Sequence, residues 1–131
     1  MNEDVVIEAR TWLGTPWHHH QKCKHYGCDC VGLLMGVADN TGVPRGEVAN
    51  YYRTPVEDSL YQELKSRYSE IREEEVEPGD IVLFEINRLP RHVAIISFSG
   101  YMIHASQVNG VVEVTLDHRW RDRAYAWFRL R

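Results

Sequence analysis

No stretch of the chain approaches the roughly 20 consecutive apolar residues that a membrane-spanning helix requires, so no membrane partner is expected. Cysteine is scarce. Three residues is an odd number, which excludes a complete disulfide framework and fits a reduced state. Neither sign of charge dominates: 15 Lys and Arg against 19 Asp and Glu leave a net charge of −4, with no basic footprint for a nucleic acid. The one locally basic run, 118–123, reads as a solvated surface. An export signal is not expected either. The acidic start, Met1-Asn2-Glu3-Asp4, has no apolar core after it, so synthesis in the cytoplasm is expected and action elsewhere needs another route. Internal repeats and low-complexity linkers are absent too. The 131 residues therefore read as a single domain, 1–131, with the 44% hydrophobic and 26% charged content of an ordinary globular protein.

What is present falls into two halves. Residues 3–13 read as a helix with Val5, Ala9, Trp12 and Leu13 on one face, acidic residues at its start and Gly14-Thr15-Pro16 at its end. A polar loop through His18-His19-His20 reaches Gly27. A second helix is expected from Cys30 to Ala38, with Asp29 as N-cap and Asp39-Asn40-Thr41-Gly42 as the stop. Gly32 and Gly36 lie four apart, a small-residue stripe for close packing on a sheet. Residues 43–56 read as irregular, 57–68 as a weaker helix with Leu60, Tyr61, Leu64 and Tyr68 on one side, and Glu73-Glu74-Glu75 as a solvated loop. Strands are expected at Ile81–Ile86, His92–Phe98, Tyr101–Ser106, Val111–Leu116 and Tyr125–Leu130. Helices first and strands last predict an α+β fold, with N-terminal helices packed on a C-terminal antiparallel β-sheet of about five strands.

The segment Gly27-Cys28-Asp29-Cys30-Val31-Gly32 carries the clearest chemistry. Cys30 falls just after the capping aspartate, among unpaired N–H groups at the positive end of a helix dipole. That position favours thiolate over thiol. His92 and His104 are twelve residues apart across an expected hairpin. With an odd-length loop centred near Phe98 the two pair directly on one face, and a one-residue slip separates them. His104 would then orient His92, and His92 would activate the thiol. Taken singly, each residue also fits a packing role: Cys30 as a small buried side chain, the histidines as satisfied structural groups. Cys23, His25, Cys28 and Cys30 beside the histidine triplet offer soft metal ligands. Their spacing matches no common zinc pattern, so no metal is expected.

The residues also resemble a family. Residues 9–17, ARTWLGTPW, are similar to the entry helix and Gly-Thr-Pro-aromatic turn of the NlpC family of papain-like cell-wall cysteine peptidases. Asp29-Cys30-Val31-Gly32-Leu33 resembles its Asp-Cys-Ser-Gly-Leu motif, and Pro78-Gly79-Asp80-Ile81 its Pro-Gly-Asp-Leu strand entry. His92-Val93-Ala94-Ile95 resembles its His-Val-Gly-Ile, and Met102-Ile103-His104-Ala105 its third-residue strand. The likeness extends over nearly the whole chain and points to the small branch encoded with phage and prophage tail genes. It implies a papain-like NlpC fold and a Cys-His-His triad: Cys30 as nucleophile, His92 as general base and His104 orienting it. The implied substrate is the peptidoglycan stem peptide, cut between D-glutamate and the diamino acid, with no metal or organic cofactor. Asp29, Trp17 and His19 are the candidate substrate-binding residues. Many members carry tyrosine at Trp17 and serine at Val31, so the oxyanion and amine contacts differ here. Phage tail proteins are the implied partners and the virion tail the implied destination. A tail assembly module with dispensable activity, or a thiol amidase or acyltransferase, are the alternatives.

Overall fold

Asn2 opens the chain's first helix, α1 (Glu3–Arg10), its side-chain oxygen accepting the Val5 N–H at 3.3 Å in the computed structural model, which describes residues 1–43 and 58–131. The helix is shorter than the expected 3–13. After Arg10 the backbone tightens into turns that end at Gly14, whose φ of 87° suits glycine. Val5, Ala9 and Trp12 stay buried, but the loss of helical register turns Leu13 outwards to 39% exposure. The polar loop that follows contains a short antiparallel ribbon, β1 (Lys22–Cys23) with β2 (Gly27–Cys28).

The second helix, α2 (Cys30–Thr41), begins where Asp29 predicts and runs three residues past the expected Ala38. Side chains on its last turn explain the extension. Lys22 pairs with Asp39 at 2.9 Å, Asn40 donates to Glu8 at 2.9 Å, and Thr41 donates to the Val37 carbonyl at 2.8 Å. Gly42, at φ 75°, forms the left-handed C-cap. The glycine stripe does not face a sheet as expected. A Cβ on Gly36 would lie 2.3 Å from the Trp12 ring, and one on Gly32 would lie 1.9 Å from the Gln21 carbonyl oxygen. The stripe admits the Trp12 ring, from the turn after α1, and the backbone of the loop ahead of the helix.

The irregular segment expected over 43–56 lies from residue 44 onwards outside the described residues, as does residue 57. Next come α3 (Ser59–Arg67), which buries Leu60 and Leu64, and β3 (Ser69–Ile71). A 3₁₀ turn at Glu73–Glu75 replaces the expected loop. Then follow β4 (Ile81–Ile86), β5 (Leu89–Phe98), β6 (Tyr101–Ser106), β7 (Gly110–Thr115), α4 (His118–Arg121) and β8 (Ala124–Arg129). The strands β3 to β8 form an antiparallel sheet of six in the order β3-β8-β4-β5-β6-β7, one more than predicted. The added strand is β3. Three residues are too few to show an alternating pattern, and exposed Glu70 at the sheet edge masks it.

Both faces of the sheet are covered. Ile81, Leu83, Val93, Ile95, Ile103 and Phe128 pack against residues of α1, α2 and α3. Val82, Phe84, Ala94, Ile96, Met102 and Trp127 form a second, smaller cluster joined by Leu116 and the partly buried Trp120. This double burial explains why Ile81–Phe84 reads as an unbroken apolar run. Asp80 anchors the entry to β4: it is 3% exposed, accepts the Glu77 N–H at 2.8 Å and holds Arg129 of β8 through two bonds of 3.1 and 3.0 Å.

Candidate active site

The N-terminus of α2 is fixed from two sides. Asp29 is 3% exposed, and its Oδ1 accepts the Gly32 N–H at 2.7 Å. Its Oδ2 accepts the His20 N–H at 2.9 Å, and its own N–H donates to the Gln21 carbonyl at 3.2 Å. One carboxylate thus caps the helix and ties the histidine loop to it. The Gly-Thr-Pro turn is sewn in as well. Val111 N–H donates to the Thr15 carbonyl at 2.9 Å, and Cys28 N–H to the Pro16 carbonyl at 3.0 Å. Trp17 forms a parallel bridge to Cys28.

Cys30 occupies the first helical position, 5% exposed, and its Sγ lies 3.7 Å from the Arg91 carbonyl oxygen, a weak S–H contact to the residue before His92. Cys28 is a different kind of thiol. It is fully buried in β2, and burial first, then the neighbouring Asp29 and Cys30, push its pKa up to about 12. That shift disfavours its thiolate near neutral pH, whereas Cys23 is exposed.

His92 and His104 come together. Nε2 of His92 and Nδ1 of His104 are 2.9 Å apart, with the rings at 88°. Their strand register differs from the expected direct pairing. The hairpin turns at Ser99-Gly100, with Phe98 opposite Tyr101 and a register shift between Ile96 and Phe98. Continuing the Ile95–Ile103 register sets His104 across from Ala94, so the histidines are diagonal neighbours on one face. The observed register lies two residues from the expected one, an even number, which preserves the face. Burial holds both imidazoles well below their ordinary titration range, and for His92 the second ring adds to this. Their shared bond has one donor and one acceptor.

Two rings complete the site, and neither was singled out from the sequence. Phe84, opposite His92 on β4, stacks on it with centroids 6.1 Å apart. Trp120 of α4 lies 5.7 Å from the His92 ring at 26°, 5.2 Å from His104 and 4.7 Å from Phe84. The basic run 118–123 is therefore not simply solvated surface. Asp117, whose Oδ1 accepts the Trp120 N–H at 3.1 Å, is the N-cap signal that marks this short helix. The candidate substrate residues Trp17 and His19 lie in the loop ahead of α2, and Asp29 is its N-cap. Half-buried Trp17 stacks on exposed His19 at 5.9 Å, and His19 on His20 at 3.5 Å. Among the described residues, no three of the His, Cys, Asp and Glu side chains gather as metal ligands.

The arrangement thus offers a thiol at a helix start, a hydrogen-bonded pair of histidines on β5 and β6, and a loop carrying Trp17 and His19 ahead of the helix. Among solved structures, the chain is similar to a Staphylococcus aureus protein of the NLP/P60 family described as similar to lipoprotein (22% identity, TM-score 0.71, covering 99% of this chain and 42% of that one). It is also similar to a NlpC/P60 family protein from Bacillus cereus (21%, TM-score 0.75, covering 99% and 40%) and to the NlpC/p60 domain of the peptidoglycan hydrolase SagA (22%, TM-score 0.69, covering 98% of each). The chain spans about two fifths of the first two. No curated protein matches it. At these identities the structures establish a shared fold, α+β with N-terminal helices on a six-stranded antiparallel sheet. The NlpC/P60 family model matches residues 14–129, from the Gly-Thr-Pro turn to the last strand and across the cysteine and both histidines, and the chain belongs to that family.

Proposed function

We propose that the chain is a cysteine peptidase that hydrolyses peptidoglycan stem peptides, with Cys30 as nucleophile, His92 as general base and His104 as the residue that orients His92. The observation that supports this reading best is the 2.9 Å bond between His92 Nε2 and His104 Nδ1, with Cys30 Sγ 3.7 Å from the carbonyl of the residue before His92. That bond leaves Nδ1 of His92 as the nitrogen available for proton transfer. Family membership and the likeness to SagA, itself a peptidoglycan hydrolase, support the substrate class.

The chemistry follows from these groups. His92 takes the Cys30 proton on Nδ1, and the sulfur attacks the scissile carbonyl carbon. The resulting oxyanion develops beside the first-turn N–H of Cys30 and the helix dipole. The doubly protonated His92 donates from both nitrogens, so His104 must accept through Nδ1 and carry its own proton on Nε2. As the C–N bond breaks, His92 returns the proton to the leaving amine. Water, deprotonated by His92, then hydrolyses the thioester and restores the thiol.

Trp17, His19 and Asp29 are proposed to border the substrate. Both Asp29 oxygens already accept backbone N–H bonds, so only their remaining lone pairs are left for a substrate amine. The finer proposal is cleavage at the D-glutamyl–diamino acid bond by a tail-associated enzyme that opens the wall locally during genome entry. The motif resemblance supports it, and loss of infectivity in a phage carrying Cys30→Ala checks it. For the activity itself, reduced protein is incubated with defined muropeptides and the products are read by mass spectrometry. Cleavage that disappears in Cys30→Ala is the expected result. Intact muropeptides, or unchanged cleavage by Cys30→Ala, overturn the proposal.

A further inference from the structure

We propose that Trp120 is a positioning residue for the histidine pair: its ring closes the outer side of both imidazoles and presents a π face to the charge that His92 takes up. The proposal rests on the catalytic reading above. Its own basis is the contact set of a residue 28 positions from His92 in sequence. The indole lies nearly parallel to His92 at 5.7 Å, edge-on to His104 at 5.2 Å, and against Phe84 at 4.7 Å. A cation within about 6 Å of an aromatic centroid is attracted to its face.

The ring is held by its surroundings. Asp117 caps the helix at the Trp120 N–H, and Arg121 donates to the Leu116 carbonyl at 3.2 Å. Phe84, buried completely, backs the indole from β4 and contributes no charge. His104 from β6 bonds to His92, Arg123 has its guanidinium 5.9 Å from the indole centroid, and Cys30 of α2 reaches the carbonyl of Arg91, the residue before His92. Among these only a Cys30 thiolate favours a proton on His92. Burial opposes that proton, as does the second imidazole. The indole is thus a neutral group that excludes water from His92 while still offsetting part of its charge.

The test reads Cys30 itself, without substrate. In a Cys23→Ser background, iodoacetamide alkylation of Cys30 is followed against pH for the reference protein, Trp120→Phe and Trp120→Leu, with kcat and KM measured on a muropeptide. The reference thiol is expected to titrate below the ordinary value of about 8.5. Trp120→Phe, which keeps a π face, should retain that curve. Trp120→Leu, which keeps only apolar bulk, should move it upwards, slow alkylation at neutral pH between about twofold and thirtyfold, and lower kcat with little change in KM. A Leu variant with the reference curve, or a Phe variant slowed as much as Leu, overturns the role of Trp120 alone. A reference thiol that titrates at about 8.5 overturns the catalytic reading and this inference with it. Should Trp120→Leu not fold, Trp120→Met supplies the same comparison.

Discussion

His104 is the residue whose function depends most on one atom. If it orients His92, its Nδ1 must accept while His92 carries charge, and any side chain without an acceptor there leaves only the Phe84 and Trp120 rings to orient His92. His104→Ala is therefore expected to lower kcat/KM on a muropeptide by about 100-fold, with His104→Asn retaining more because its carbonyl oxygen can accept. Equal loss in both variants would argue for packing as the cause. Glu8 shows a different residue-scale logic. Burial works against its charge, but Lys24, Asn40 and Trp12 all donate to its carboxylate and hold its pKa below the usual range. It joins α1, α2 and the ribbon ahead of Cys30. Nothing in the helical pattern of α1 marks it, since a glutamate there reads as solvated.

At the level of elements, the two glycines of α2 make separable predictions. Each costs roughly 1 kcal/mol of helix propensity, so Gly→Ala on an open face would stabilise. Here Gly36→Ala drives a methyl into Trp12 and is expected to cost about 1–3 kcal/mol in chemical denaturation with activity per folded molecule retained. Gly32→Ala meets the Gln21 backbone instead, which cannot swing aside, so activity should fall along with stability. Which elements were legible in the sequence follows the same physics. The strands Ile81–Ile86 and Tyr101–Ser106 have the expected bounds because turn residues delimit β-rich runs. The start of β5 was not legible: Asn87 and Arg88 take positive φ in a two-residue turn without glycine, and Pro90 sits at a bulge opposite Glu85. In the site, Cys30 was legible from its local cap and the histidines from their spacing. Trp120 was not, because its contacts to β4, β5 and β6 are all distant in sequence.

For the whole molecule, the buried histidines set an acid limit. Their folded pKa values lie below the unfolded value of about 6.5, so the unfolded chain binds more protons as pH falls. Stability should be full above that value and decline below it, by at most about 1.4 kcal/mol per pH unit for each histidine. Denaturant midpoints between pH 7.5 and 5 check this, and His104→Gln should flatten the slope. A flat wild-type profile over that range would contradict the assignment. Glu8 and Glu113, with lowered pKa values, add a further decline only below the ordinary carboxylate range.

The strand order carries a consequence for the timing of synthesis. β8, the final strand of the chain, lies between β3 and β4 rather than at an edge. Until residues 124–129 leave the ribosome, β4 presents an open edge bearing the apolar run Ile81–Phe84, and the Asp80 carboxylate has no Arg129. A nascent chain therefore holds Cys30, His92 and His104 long before it has the sheet that would align them. The same open edge makes any chain broken off before residue 124 a template for aggregation.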